Sequence, residues 1–168
     1  MKKLVVVALC ALAAFAFVSC GGEKENVVKI GVYEPASGDN GAGGKQETLG
    51  MQYANTVTPT VTIGDKEYKV QLEIVDNESS NDKAVTAASE LISKNVAVVL
   101  GSYGSGVSIA ASDTFAAAGV PAIGVTCTNP QVTAGNDHYF RICFLDPFQG
   151  SVHANLAQAQ IKAKKAYW

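Results

Sequence analysis

The stretch VDNESSNDKAVTAASELISKNVAVVLGSYGSG, residues 75–106, decides the fold. Its middle part has apolar residues three and four positions apart, which predicts a helix capped by Asn81 or Asp82. The apolar positions of this helix are Ala84, Val85, Ala87, Ala88, Leu91 and Ile92. Residues 96–100 are apolar without alternation, which is typical of a strand buried on both faces. A loop rich in glycine and serine, residues 101–106, follows that strand.

The same order of strand, loop and helix extends along most of the chain. Strands are predicted at residues 28–33, 61–63, 68–75, 120–125 and 138–144, and further helices at residues 46–55, 107–118 and 146–162. The first of these helices is indicated by Leu49, Tyr53 and Val57 at helical spacing, after a glycine-rich loop at residues 38–44. Because strand and helix alternate four times, we expect an α/β fold, a three-layer parallel sheet with helices on both faces.

Parallel sheets of this kind bind ligands beyond the carboxyl ends of their strands. Four predicted loops lie at that edge, at residues 35–44, 76–82, 101–106 and 126–133. These loops are therefore the places in which to look for a site.

The charge and cysteine content exclude some classes of function. The sequence of 168 residues has 13 basic and 15 acidic side chains, mixed along its length, for a net charge of −2. Without a basic patch, nucleic acid is not an expected partner. Of the four cysteines, Cys10 and Cys20 belong to the amino-terminal region. Cys127 and Cys143 either form a disulfide in an oxidising compartment or remain small buried thiols, and the sequence leaves both possibilities open.

The amino terminus has the pattern of an export signal. Two lysines precede an apolar run at residues 4–18, which is shorter than the roughly 20 residues needed to span a bilayer. Phe17-Val18-Ser19-Cys20 resembles the lipobox of bacterial lipoproteins. That resemblance implies a signal peptide at residues 1–19, a diacylglycerol on Cys20, a tether at residues 20–27, and a location outside the cytoplasm at the cell surface or in the periplasm. The alternative is an uncleaved signal anchor whose cysteine is incidental.

Four segments together are similar to one known family. They are KIGVYEPASG (residues 29–38), LGMQYAN (residues 49–55), the stretch at residues 75–106 and VPAIGVTCTNPQVT (residues 120–133). They resemble the branched-chain amino-acid binding proteins, the extracytoplasmic receptors of ABC importers. The resemblance implies that residues 28–168 form the first lobe of a two-lobed fold. It also implies an amino-acid ligand, a permease partner, and neither a cofactor nor a catalytic reaction.

The resemblance also implies where the ligand binds. Ser105 falls where the family places a serine hydroxyl on the ligand carboxylate, with Ser102 and Tyr103 in the same loop. Thr126-Cys127-Thr128 falls where the family holds the carboxylate and ammonium with backbone groups and a threonine hydroxyl. Independently, a helix that starts at Ser105 favours an anion through its free N–H groups and its dipole.

Each of these residues also has a purely structural interpretation. Ser102 and Ser105 are good helix caps, and Thr126 and Thr128 are suitable turn residues before Asn129-Pro130. The pairing of the two loops at one sheet edge favours a site. The aromatic residue that the family often carries in the first glycine loop is absent from residues 39–44, which leaves the identity of the ligand open.

Enzymes and sensory receptors are the alternatives from other classes. The glycine spacing at residues 101–106 is not that of a dinucleotide site, and Tyr103 stands where a serine hydrolase motif needs glycine. His138 and His153 lack partners at zinc-ligand spacing. The second alternative is a ligand-sensing receptor domain of the same fold for another small solute. We also expect residues 164–168 to begin a further strand, with a second lobe beyond them.

Overall fold

The structure, a computed structural model, describes residues 26–165. Its strands form one sheet in the order β2-β3-β1-β4-β5-β6. The strands are β1 (Val27–Glu34), β2 (Thr60–Ile63), β3 (Lys66–Asp76), β4 (Val98–Gly101), β5 (Ala122–Gly124) and β6 (Tyr139–Arg141). All neighbours pair in parallel except β2 and β3, which form an antiparallel hairpin. The predicted parallel α/β architecture is therefore confirmed.

The helices connect these strands in the predicted order. They are α1 (Gly41–Val57), α2 (Asn81–Ser93), α3 (Ser105–Ala117) and α4 (Asp146–Asn155), with a 3-10 turn at Pro130–Val132 and a π-helical segment at Leu156–Ile161. None of the helices between residues 26 and 165 has the length and apolar character needed to cross a membrane.

Some boundaries differ from the predictions. Helix α1 starts at Gly41 rather than at residue 46, so half of the predicted glycine loop forms its first turn. Helix α2 follows Ser80, and no side chain of the described residues caps it, so the capping role predicted for Asn81 or Asp82 is wrong. Strands β5 and β6 are shorter than predicted because only three residues of each pair with the other.

Helices cover both faces of the sheet. The Tyr33 hydroxyl lies 3.2 Å from the carbonyl oxygen of Ala84 in α2 and 3.4 Å from that of Val107 in α3. Ile30, three residues earlier on β1, lines a groove together with Met51 of α1. Because side chains alternate along a strand, α1 lies on the face opposite to α2 and α3.

The main core lies between the sheet and the α2–α3 layer. The ring of Tyr33 packs edge-on against that of Phe115, with 5.4 Å between centroids and an interplanar angle of 87°. Leu91 and Val99 are fully buried beside them. Burial of one such side chain contributes about 1.5–3 kcal/mol. The α1 layer is looser, since its apolar residues Leu49, Tyr53 and Val57 are exposed.

Candidate ligand-binding site

Hydrogen bonds join the loops at the carboxyl edge of the sheet. The backbone N–H of Ala36, after β1, donates to Asp76 Oδ1 at the end of β3 (2.8 Å). The side chain of Asn77 donates to Ser102 Oγ after β4 (3.0 Å). The loops at the edge that the sequence assigns to a ligand are thus joined by hydrogen bonds, one of them between the buried side chains of Asn77 and Ser102.

Helix α3 presents its amino terminus at this edge. Ser105 is its first residue, and no side chain of residues 26–165 caps it. The Ser105 hydroxyl instead accepts a hydrogen bond from the backbone N–H of Asn129, at 3.3 Å. A helix terminus of this kind offers N–H groups and a positive dipole end to an anion. The structure therefore joins the two loops predicted to form the site.

The other two residues of the first loop differ in exposure. Ser102 is fully buried, and its hydroxyl accepts from Asn77 and, at 3.4 Å, from the N–H of Gly104. It therefore supports the loop from within. Tyr103 is partly exposed, and a Cβ added at Gly43 would lie 2.5 Å from its ring. The Tyr103 ring thus covers the first turn of α1, where the sequence itself provides only small residues.

The second loop presents its threonines differently from its cysteine. Thr126 is exposed, and its hydroxyl is hydrogen-bonded to the Glu47 carboxylate of α1. Cys127 is fully buried, with its sulfur packed where a side chain on Gly124 would collide with it. Thr128 is half-buried, and its carbonyl accepts from the N–H of Asp146 at 3.1 Å. Cys127 can therefore contribute only backbone groups to a ligand.

The two remaining cysteines are not paired. Cys127 and Cys143 are both free thiols in the structure. Burial raises the pKa of the Cys127 thiol, so this side chain stays neutral. Of the two possibilities left open by the sequence, the structure shows the thiols.

Arg141 is the one arginine of the sequence and was not predicted to matter. Its guanidinium donates to the carbonyl oxygens of Cys127 and Asn129, both at 2.9 Å. It also donates to the carbonyl of Pro130 at 3.2 Å and to Thr133 Oγ1 at 2.8 Å. One rigid side chain on β6 thereby holds the whole second loop in place.

A pair of carboxyl groups was also missed. Glu34 ends β1 and is 1% exposed, and its Oε2 accepts from the backbone N–H of Tyr103 at 2.7 Å. Burial, followed by a hydrogen bond to Glu47, raises the pKa of Glu34 to about 9, although the Tyr103 N–H opposes the rise. Burial therefore keeps the Glu34 carboxyl protonated at neutral pH. The sequence signal was an acidic residue closing the apolar run VVKIGVYE.

Comparison with known proteins finds relatives that are all binding proteins. A profile of the periplasmic binding protein family matches residues 27–167. The Leu/Ile/Val-binding protein homolog 3 of Brucella melitensis is 31% identical, covering 98% of this chain and 44% of its own length. An amino acid binding protein of Pseudomonas aeruginosa is 33% identical, with the same coverage. The chain thus spans less than half the length of these curated relatives.

Solved structures agree with this result. The leucine-binding protein LivK of Thermotoga maritima superposes with a TM-score of 0.75 at 34% identity, covering 82% of this chain and 39% of that one. LivJ of Streptococcus pneumoniae, solved with isoleucine, superposes with a TM-score of 0.75 at 29% identity. The match covers 83% of this chain and 40% of the LivJ chain.

These matches confirm the resemblance drawn from the sequence segments. The fold is that of a lobe of the periplasmic binding proteins. The relatives are binding proteins of transporters rather than enzymes, and their family implies a location outside the cytoplasm. The chain belongs to the periplasmic binding protein family.

Proposed function

We propose that this chain is the first lobe, residues 28–168, of a lipid-anchored solute-binding protein that captures a small amino acid of the branched-chain class and delivers it to an ABC permease. The reaction is reversible binding without chemical change. Ser105 and Thr128 are the proposed ligand residues, supported by Tyr103, Thr126 and the backbone of Cys127, while Ser102 holds the first loop from below.

One observation carries this proposal. The uncapped amino terminus of α3 lies next to the second loop, which is fixed to it by the hydrogen bond from Asn129 to Ser105. A ligand carboxylate at that point receives N–H groups and the helix dipole, and Thr128 lies one residue before Asn129. Hydrogen bonds to a charged group contribute about 1.5–3 kcal/mol each, so three or four support micromolar binding after ordering costs.

The ligand class rests on the relatives. The Brucella protein is named for leucine, isoleucine and valine, and the Streptococcus structure holds isoleucine. The relatives' greater length fits a second lobe that closes over the site in the full-length product. Closure over a bound amino acid is the signal that a permease would recognise.

The lipid anchor is a separate part of the proposal. Cys20 and the lipobox-like residues before it lie outside the described residues, so the anchor rests on the sequence pattern alone. Labelling of cells with a fatty-acid analogue tests it. We expect label on the wild-type protein and none on Cys20→Ser, with the variant recovered in the soluble fraction. Equal labelling of both proteins would refute a lipid on Cys20.

A thermal-shift screen of the full-length product without residues 1–19 tests the ligand class. A ligand that binds the native state raises the melting temperature by mass action, so no prior choice among the amino acids is needed. We expect shifts with leucine, isoleucine or valine. Shifts with other small solutes alone would leave the fold intact and refute the branched-chain class.

A further inference from the structure

Tyr103 is the one large apolar side chain exposed in the loops at the carboxyl edge of the sheet, all of which lie within the described residues. It is 40% exposed. The other accessible groups of these loops are hydroxyls, amides, carboxyls and small or cyclic aliphatic side chains; the loops are residues 35–44, 76–82, 101–106 and 126–133. Tyr103 is therefore the group at this edge that offers apolar area to a ligand.

The ring of Tyr103 lies directly on Gly43, in the first turn of α1. A Cβ added at Gly43 would lie 2.5 Å from the ring atoms Cε2 and Cζ and 2.9 Å from Cδ2. Carbon atoms in ordinary contact are about 3.5–4.0 Å apart, so any side chain at residue 43 would force the ring to move. The ring thus occupies the space into which a side chain of residue 43 would point.

Hydrogen bonds fix the backbone that carries this ring. The N–H of Ser102 donates to Ser108 Oγ at 3.2 Å, and the N–H of Gly104 donates to Ser102 Oγ at 3.4 Å. Between them, the N–H of Tyr103 donates to Glu34 Oε2 at 2.7 Å. The side chains that accept these bonds are buried. The loop is therefore ordered before a ligand binds, which reduces the entropy cost of binding.

The contact with α1 also places the ring beside the second loop of the proposed site. Gly43 and Glu47 are four residues apart and so lie on the same face of α1. Glu47 is hydrogen-bonded to the hydroxyl of Thr126. The apolar ring over Gly43 and the polar Thr126 are therefore neighbours along one helix face, and Ser105 follows Tyr103 by two residues.

We propose that Tyr103, held over Gly43, is the residue of this lobe that selects an apolar ligand side chain, which packs against the exposed part of its ring. The inference rests on the proposed function, in which the ligand carboxylate lies at the start of α3. A tyrosine offers a large contact area and loses little conformational entropy on binding. Because the gain grows with the apolar area removed from water, this contact favours leucine over alanine.

Calorimetric titration of the full-length product with leucine and alanine tests this assignment. The two ligands share the ammonium and the carboxylate and differ only in the side chain, and alanine is measured by its competition with leucine. We expect Tyr103→Ala to weaken leucine binding by at least about tenfold and alanine binding by much less. Tyr53→Ala, which removes an exposed tyrosine elsewhere on α1, is the matched control and should keep the wild-type preference.

Substitutions at Gly43 test the position of the ring. Gly43→Ala should displace the ring and weaken leucine binding in the wild-type background. It should have no further effect in Tyr103→Ala, where no ring is present, so the two changes are not additive. The double variant Gly43→Tyr with Tyr103→Ala places an aromatic ring in the same space from α1. We expect it to recover most of the preference for leucine over alanine.

The outcomes separate this inference from the proposed function. Equal leucine affinity of Tyr103→Ala and the wild type would overturn the inference and leave amino-acid binding intact. Losses by the same factor for leucine and alanine would assign Tyr103 a structural role only and would also overturn it. Melting temperatures distinguish a lost contact from a lost fold, and a double variant with the wild-type melting temperature but no preference for leucine would contradict the inference. Binding of no amino acid by the wild type would refute the proposed function itself.

Discussion

The hydroxyl of Ser105 and the backbone N–H of Asn129, 24 residues apart, are joined by a hydrogen bond of 3.3 Å. This contact places the start of α3 against the loop after β5. Neither residue is in a sheet, so the contact depends on the parallel strands β4 and β5 ending at one edge. The geometry of the proposed site is therefore a direct consequence of strand order.

Substitution by alanine is predicted to have opposite effects on stability at two glycines of α1. A Cβ on the buried Gly44 would collide with the carbonyl oxygen of Pro35, a backbone atom that cannot turn aside. We expect Gly44→Ala to lower the free energy of unfolding by about 1–3 kcal/mol. At the exposed Gly50 a Cβ meets nothing within 4 Å, so Gly50→Ala should stabilise by about 0.5–1 kcal/mol through helix propensity.

Thermal unfolding of the two variants beside the wild type checks this pair. The two positions share one helix, which makes Gly50→Ala the control for propensity alone. Equal melting temperatures for both variants would mean that α1 does not pack on Pro35 as described.

Arg141 is predicted to stabilise the second loop. Lysine at this position keeps the charge but cannot span acceptors on four residues from Cys127 to Thr133. We expect Arg141→Lys to cost about 1–3 kcal/mol of unfolding free energy and to weaken ligand binding. Thr133→Val, which removes one acceptor, should cost less. Denaturant titration measures the stability of both variants. An unfolding midpoint of Arg141→Lys equal to that of the wild type would refute the stabilising role of Arg141.

The stability of the fold should depend on pH through Glu34. An unfolded glutamate ionises near 4.5, whereas burial and Glu47 raise the pKa of Glu34 in the fold to about 9. The folded state therefore keeps a proton that the unfolded state releases. This contribution is fully present below about pH 4.5 and is lost as pH rises to about 9, at up to about 1.4 kcal/mol per pH unit.

Melting temperatures between pH 5 and pH 9 test this dependence. Glu34→Gln is neutral at every pH and should flatten the decline, with a melting temperature above that of the wild type at pH 9. The exposed Glu78, changed to Gln, is the control and should follow the wild type. A decline in Glu34→Gln as steep as in the wild type would show that other groups cause it.

Much of the fold could be predicted because periodicity is local. The unbroken apolar runs before Gly101 and Gly124 identified strands β4 and β5, and the alanine-rich segments between strands identified α2 and α3. The sequence could not show that Leu49 and Tyr53 remain exposed, since their spacing alone is that of a buried face. Burial depends on which element packs above a helix.

The site was predictable only in part, for a physical reason. Ser105 follows from strand order and loop position, both readable in the chain. The roles of Arg141 and Glu47 depend on contacts with residues up to 79 positions away, as between Glu47 and Thr126. An acidic residue at the end of an apolar strand was a usable signal for Glu34. No feature of the sequence around Glu47 on α1 indicates that it is the partner of Glu34.

Isothermal titration of leucine, isoleucine and valine into the full-length product without residues 1–19 tests the central claim most directly. Ser105→Ala removes the hydroxyl at the start of α3. Ser112→Ala removes another hydroxyl of the same helix, one that donates to the carbonyl of Ile109, and serves as the control. We predict micromolar binding by the wild type and by Ser112→Ala, and a loss of at least about tenfold in Ser105→Ala. Equal binding by all three proteins would contradict a site at Ser105, and no binding of any of these amino acids to the wild type would contradict the proposed function.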